Sequence, residues 1–294
     1  MQSEFQLTVI IPAFNEVDNL TVFLPPLIEH CRENDWQIIL VNDGSHDQTK
    51  EYLKGFDQEP LLKVIHHKLN KGYGAAIKSG IRECETEYLI TFDADGQHYL
   101  EDIDKLRRRL MENDADMVVG SRKGLKSSSH VRGVGKSNIR LIANIMMTVP
   151  VHDINSGMKI YRTDLAKKYL FLTTDTMSFS DVITLVFINN RHLVLEEPIS
   201  IKERTTGKST IGFQTAFQTV MEILHIVILF NPMKIFLPLS LLCFGLTAIW
   251  GLPLLIEGRG LSIGSLLGVI MGILLFLLGL IAEQLSLIRR NQHA

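Results

Sequence analysis

Four places in the chain gather side chains able to do chemistry, each just after a short apolar run. They are Pro12-Ala13-Phe14-Asn15-Glu16, Asn42-Asp43-Gly44-Ser45, Asp93-Ala94-Asp95-Gly96-Gln97 and Gly120-Ser121-Arg122. The third is the most specific. If the backbone stays extended beyond the apolar run, side chains two apart point the same way. Asp93, Asp95 and Gln97 then present three oxygen ligands to one hard divalent cation. Mg2+ or Mn2+ suits such donors and keeps coordination sites for water and phosphate oxygens. Gly96 removes bulk where a ligand has to approach. A lone Asp-x-Asp is also a common solvated turn, and Asn-Asp-Gly-Ser is a strong turn sequence by itself. Four such strand ends in one domain are harder to attribute to turn chemistry alone.

Other segments add to this set. Asp153-Ile154-Asn155-Ser156-Gly157 places a carboxylate just before the expected strand Met158–Tyr161, where it can orient or activate an acceptor. His152 beside it reads as structural or as a hydrogen-bond partner, and His66 and His67 have no metal-ligand spacing. Arg204, Lys208 and Ser209 form a basic, hydroxyl-bearing cluster. It suits an anionic phosphate, and equally a solvated loop drawn to anionic head groups. Gly207-Lys208-Ser209 is not the end of a P-loop, because Lys202 stands where the first glycine is required. Lys71-Gly72-Tyr73-Gly74-Ala75-Ala76 lacks the third glycine of a dinucleotide fingerprint. Small residues opening a helix still offer a contact surface for a phosphate or a nucleobase.

The elements that must position these groups follow from hydrophobic patterning. Leu7–Ile11, Ile38–Val41, Lys63–Ile65, Tyr88–Phe92 and Met117–Val119 read as buried strands. Glu16–Glu33, Asp47–Phe56, Gly72–Cys84 and Asp102–Asn113 read as helices between them, the first kinked or split at Pro25-Pro26. Such alternation predicts an α/β domain with a mostly parallel sheet and helices on both faces. Ligands of such sheets bind at the carboxyl ends of the strands, where the four polar segments fall. Lys123–Gly135 reads as a mobile polar loop and Lys136–Val149 as an amphipathic helix.

The apolar fraction is 46%, and the excess lies after residue 234. Ile235–Ile256 and Gly260–Ala282 carry no charge and are separated only by Glu257-Gly258-Arg259. Each is long enough to cross a hydrocarbon core of about 30 Å at about 1.5 Å per residue. Phe213–Phe230, apolar with a few polar residues, reads as an interfacial helix lying on the membrane, with an ordinary core helix as the alternative. Three regions are therefore expected: a catalytic domain over 1–211, an interfacial helix over 212–233 and a two-helix transmembrane hairpin over 234–289. Lys234, Arg289 and Arg290 flank the outer ends of the hairpin. The positive-inside rule then places the catalytic domain and both termini in the cytoplasm, although the loop itself carries Arg259, and the lack of ER signals favours a plasma (inner) membrane. Met1–Phe5 has no basic n-region or apolar h-region, so no cleavable signal is expected. Cys31, Cys84 and Cys243 form no disulfide framework or zinc spacing. A net charge of -2 argues against a nucleic-acid partner. Gly264, Gly268 and Gly272 recur every four residues and allow close helix packing, against the first span or against another subunit.

The order of these motifs resembles family 2 glycosyltransferases of the GT-A fold. The match runs through Ile10–Glu16, Val41–Ser45, Asn70–Gly74, Asp93–Gln97, Gly120–Arg122 and Asp153–Gly157. With Arg204–Ser209 and two C-terminal spans, the chain is similar to polyprenyl-phosphate glycosyltransferases such as dolichyl-phosphate mannose synthases and bacterial undecaprenyl-phosphate glucosyltransferases. The resemblance implies a GT-A nucleotide-sugar-binding domain. Pro12, Asn15, Glu16, Asp43 and Lys71 would hold the donor nucleotide, and Asp93 would contact it. Asp93, Asp95 and Gln97 would hold Mg2+ or Mn2+ on the diphosphate. Arg122, Arg132 and Arg204, with Lys208 and Ser209, would grip phosphates of donor or acceptor. Ser137 stands five residues after Arg132, where the family usually has four. Asp153 falls at the family's proposed catalytic aspartate. The implied reaction is inverting transfer of a sugar from a UDP- or GDP-sugar to undecaprenyl or dolichyl phosphate, by a homo-oligomer. A processive polysaccharide synthase would carry Gln-x-x-Arg-Trp, which neither Trp36 nor Trp250 completes. A non-catalytic membrane scaffold is the competing class, and the intact acidic and basic motifs argue against it.

Overall fold

The computed structural model describes residues 5–122, 150–202, 228, 231–258, 260 and 262–291, with side chains to 288 at the C-terminal end. Strands β1 (Leu7–Ala13), β2 (Gln37–Asn42), β3 (Leu62–His66), β4 (Tyr88–Thr91) and β5 (Met117–Ser121) alternate with helices. These helices are α1 (Val17–Asn34), α2 (Thr49–Lys54), α3 (Tyr73–Glu83) and α4 (Glu101–Asn113). β6 (Lys159–Arg162), α5 (Thr163–Tyr169), α6 (Phe179–Asn189) and β7 (Val194–Pro198) follow. One seven-stranded sheet results, in the order β3-β2-β1-β4-β6-β5-β7. β6 pairs antiparallel with both β4 and β5, while the other pairings are parallel. The mostly parallel sheet is as expected. The reversed strand was not legible, because period-two patterning carries no direction.

The two faces of the sheet are covered by different helices. Leu7, Val9 and Ile11 of β1 join one apolar core with Leu20, Phe23, Leu24 and Leu27 of α1 and Ile103, Leu106 and Leu110 of α4. Ile10 points to the other face and meets α3, where a Cβ on Gly80 would lie 2.5 Å from Ile10 Cγ2. α1 is not split at Pro25-Pro26: it runs through both prolines. Both prolines lie on the exposed face, between buried Phe23-Leu24 and Leu27-Ile28. The carbonyls left without a helical N–H partner therefore face water, and packing of the opposite face outweighs the lost bonds.

A second unit contains α7 (Met233–Ile256) and α8 (Ile263–Asn291), both long and apolar enough to cross a membrane. They pack along a seam of small residues. A Cβ on Gly251 would crowd Ser265, one on Gly268 would overlap Thr247, one on Gly272 would meet Phe244, and one on Gly279 would meet Phe236 and Met233. Ser240 donates to the Gly272 carbonyl at 2.8 Å. Gly268 and Gly272 thus serve contact between the two helices of one hairpin. Gly264 lies outside the seam, since a Cβ there would have only Ser262 near it. The expected interfacial helix, the polar loop 123–135 and the helix 136–149 fall outside the described residues, apart from isolated positions at the interfacial helix's end.

Gly80→Ala puts a methyl group into Ile10, whose β-branched side chain has little freedom to move. Overpacking of about 1–3 kcal/mol should exceed the helix-propensity gain of about 1 kcal/mol from replacing glycine. Thermal unfolding of the full chain in detergent should show a lower Tm; an unchanged or higher Tm would refute the close α3–β1 approach.

Candidate active site

β1, β2, β4 and β5 run parallel and present their carboxyl ends along one edge of the sheet. Pro12 is buried within β1, paired opposite Val41. Asn15 follows in the left-handed region at φ 55°, which asparagine tolerates better than most residues. Its backbone N–H donates to Ser45 Oγ at 2.9 Å, and its side-chain oxygen accepts from His46 N at 2.8 Å. Glu16 N–H reaches Thr49 Oγ1 at 3.2 Å, and Glu16 Oε2 accepts from Asn19. These bonds tie the loop after β1 to the loop after β2. Asp47 holds the second loop in place: burial alone would raise its pKa, but hydrogen bonds from Thr49 and Val17 keep it below the usual carboxylate range.

Asp43 is buried at the end of β2, 3% exposed. Its two oxygens accept from Lys71 N at 2.9 Å and Gly72 N at 2.8 Å. His67 Nδ1 lies 2.6 Å from the same carboxylate, and His67 Nε2 lies 2.9 Å from Ser79 Oγ. Asp43 therefore shapes the Lys71 loop, and Lys71 itself is exposed. The small residues opening α3 serve a different purpose from the one expected. Cβ atoms on Gly72 or Gly74 would collide with backbone atoms of Thr174, Asp175 and Thr176, and Ala75 N donates to the Asp175 carbonyl. On the side where a Cβ would stand, the protein's own 174–176 segment packs against these glycines.

The acidic motif also departs from the extended geometry expected. β4 ends at Thr91, and Ala94-Asp95 form a turn closed by Gln97 N donating to Asp95 Oδ1 at 3.1 Å. Gly96 takes φ 69°. Asp93 and Asp95 are still neighbours at the strand end, but the two-residue alternation does not aim them. Instead, Asp93 is aimed by contacts. Tyr73 Oη donates to its Oδ1 at 2.8 Å, and His98 Nε2 lies 3.7 Å from Oδ2. A Cβ on Gly157 would overlap the Asp93 carboxylate, so only glycine fits beneath it. Burial pushes the Asp93 pKa up, yet His98, Tyr73 and the Arg122 charge together hold it below the usual range. Burial and Asp93 push the Tyr73 hydroxyl well above its own.

Asp153 and Arg122 meet in a two-point fork. Arg122 Nε donates to Asp153 Oδ2 at 2.5 Å and Nη2 to Oδ1 at 2.7 Å; Nη2 also reaches the Asn155 carbonyl at 3.1 Å. Such bidentate pairing is strong and directional. Burial would lower the Arg122 pKa, but Asp153 holds it above the ordinary value. His152 bonds Glu196 through its backbone N–H and through Nδ1 at 3.0 Å, so it acts as the hydrogen-bond partner. Arg132, Arg204, Lys208 and Ser209 lie outside the described residues.

Asp93 and Asp95 are hard oxygen donors, and Asp93 is held ionised, as a ligand to Mg2+ or Mn2+ must be. No group of three or more His, Cys, Asp or Glu gathers among the described residues. Two carboxylates fit an ion that takes its remaining ligands from substrate phosphates and water. Patterning gave no individual role to Tyr73, His98, Gly157 or His67. Only Gly157 left a signal, as a glycine directly after a polar loop.

Residues 8–170, more than half of the chain, match glycosyl transferase family 2, and residues 231–288 match the GtrB C-terminal hairpin. An uncharacterised protein of Methanocaldococcus jannaschii is 31% identical over 74% of this chain and 92% of its own length. The dolichyl-phosphate beta-glucosyltransferase of Trichomonas vaginalis is 26% identical over 78% of this chain and 73% of its own. The undecaprenyl-phosphate mannosyltransferase of Micrococcus luteus is 27% identical over 70% and 88%. The fold is shared with Mycobacterium tuberculosis glucosyl-3-phosphoglycerate synthase, whose structure holds Mn2+ and UDP: TM-score 0.59, 14% identity, covering 77% of this chain and 80% of that one. Strand ends, sheet order and the match across the catalytic half agree: the chain belongs to glycosyl transferase family 2 and is a glycosyltransferase with two C-terminal helices that are candidate membrane spans.

Proposed function

We propose that this glycosyltransferase moves a sugar from a UDP- or GDP-sugar to a polyprenyl phosphate, with inversion, making a lipid-phosphate-sugar. The observation that carries this is the joining of an acidic, arginine-backed sugar-transfer site to an apolar hairpin of the GtrB type. Relatives named for dolichyl-phosphate and undecaprenyl-phosphate transfer support the acceptor class. The hairpin would hold the site at the lipid surface, with Lys234, Arg289 and Arg290 favouring a cytoplasmic catalytic domain over 1–211 at a plasma membrane. The glycine seam is used within the hairpin, so it lends no support to a homo-oligomer.

In this scheme Pro12, Asn15, Glu16 and Lys71 line the nucleotide end, and Asp43 contributes through the loop it holds. Asp93 and Asp95, with Gln97, would hold Mg2+ or Mn2+. When bound, that ion neutralises charge on the departing diphosphate. Arg122 adds fixed positive charge beside it, and Arg132, Arg204, Lys208 and Ser209 are proposed to grip the acceptor phosphate. A phosphate monoester has a second pKa of about 6. It is largely ionised at neutral pH and needs little help to attack the anomeric carbon. Asp153, each of whose oxygens accepts from Arg122, orients the site more than it removes a proton.

Transfer from a panel of labelled UDP- and GDP-sugars to undecaprenyl or dolichyl phosphate, in detergent with Mg2+ or Mn2+, tests this. One donor should yield labelled lipid, and EDTA should abolish it. No labelled lipid with nucleotide-sugar binding intact would point to another acceptor; no binding would favour a scaffold. Asp95→Asn should cost about 100-fold or more in kcat, and Asp153→Asn less than the about 100-fold expected on losing a general base; equal losses would contradict the orienting role. Gly157→Ala should also cost at least about tenfold, by dislodging Asp93; full activity in that variant would show that the Asp93 seat is dispensable.

A further inference from the structure

The loop carrying Asp153 is gripped from below by a buried ammonium group. Lys159, on β6, is 1% exposed. Its Nζ donates to the Ile154 carbonyl at 2.8 Å, to Ser180 Oγ at 2.6 Å and to the Ser180 carbonyl. An ammonium has three N–H donors and no acceptor, so each donor is matched by one oxygen. Ser180 Oγ donates onward to the Ser156 carbonyl at 2.5 Å. Two carbonyls of the Asp153–Gly157 loop are thus fastened, one by Lys159 and one by Ser180 in the first turn of α6.

A buried lysine is costly unless something needs it. Burial pulls the Lys159 ammonium below the usual lysine range, and the negative charges of Asp181, Asp153 and Asp93 oppose that. The fastened loop is short and has consequences at both ends. Asp153 at one end must meet the Arg122 fork, and Gly157 at the other must lie beneath Asp93. A shift of the loop by a fraction of an ångström moves the Asp153 carboxylate relative to Arg122, and misplacement by about 1 Å can cost about 100-fold in rate.

We propose that Lys159 is a positioning residue for sugar transfer, acting with Ser180 to fix the Asp153–Gly157 loop so that Asp153 reaches Arg122. This rests on the sugar-transfer reading and deepens it by adding a residue pair that never touches substrate. A lysine serving stability alone would behave differently when combined with loss of Asp153.

The test uses Lys159→Met, which keeps the length but no donors, with Ser180→Ala, Asp153→Asn and both doubles with Asp153→Asn, all as full chain in detergent. Lipid-phosphate-sugar formation and hydrogen exchange over residues 153–158 are measured. Lys159→Met and Ser180→Ala should each slow transfer by about tenfold or more. The doubles should be within about threefold of Asp153→Asn alone, because the residues act as one unit. Exchange in 153–158 should quicken by about tenfold or more while β1 and β2 stay protected. Multiplicative losses in the doubles, or unchanged exchange, would overturn the proposal. If Lys159→Met does not fold, the Ser180→Ala pair decides it. If the wild-type chain makes no lipid-linked sugar, the sugar-transfer reading fails, and hydrogen exchange still decides whether Lys159 and Ser180 hold the loop; unchanged exchange there sinks the proposal too.

Discussion

The carboxylate of Asp93 occupies the space that any side chain at position 157 would need. That contact requires the Asp153–Gly157 loop to cross directly over the end of β4, and the reversed strand makes this possible. β6 sits between β4 and β5 and runs against both, with Lys159 in register with Thr91 on one side and Val119 on the other. An antiparallel strand starts where its neighbours finish. The loop leading into β6 therefore arrives at the edge where β4 delivers Asp93 and β5 delivers Arg122. A parallel strand in the same place would bring its leading loop to the opposite edge, and Asp153 would be far from Arg122.

The charges in this corner are arranged as a chain of dependencies. Arg122 is held by Asp153 in a fork, Asp153 is carried by a loop fastened through Lys159, and Lys159 is enclosed with Asp181 nearby. In a region with little water, each of these charges would be expensive alone, and each is tolerated because a partner or a set of acceptors meets it. The fixed Arg122 charge stands at the site edge, where a departing diphosphate would gather negative charge. On the other side of the site, Asp43 does comparable work through two backbone N–H donors and the His67 ring. One half of the site is thus built on hydrogen bonds between loops and the other on a partly buried ion pair.

Much of this was legible in the sequence. Apolar runs of three to five residues ended in polar segments, and those ends do line one edge of the sheet. The two C-terminal runs were legible from length and lack of charge. What patterning lost was direction and contact. β6 read as a strand with no sign of its reversal. Asp95 was aimed by alternation that stops at Thr91, where a turn takes over. Gly72 and Gly74 read as space for a ligand, whereas the 174–176 backbone, about a hundred residues later, packs against them. Gly264 fitted a four-residue repeat but misses the helix seam that Gly268 and Gly272 share with α7. Lys159 drew no notice because a lysine in a short strand normally reads as a solvated position. His67 was set aside for lacking metal spacing, yet its partner is the carboxylate of Asp43. Apart from the local turn at Asp95, these misses concern interactions between residues far apart in sequence, which periodicity does not encode.

The central claim is that Asp153 stays paired with Arg122 and orients the site while the lipid phosphate supplies its own nucleophilic oxygen. A crystal or cryo-EM structure of the full chain with UDP and Mn2+ tests it most directly. The account predicts that the two-point Arg122–Asp153 fork persists with the nucleotide bound and that Asp93 remains seated over Gly157. An Asp153 carboxylate released from Arg122 and turned toward the place of the acceptor oxygen would contradict it, and would make that residue the base.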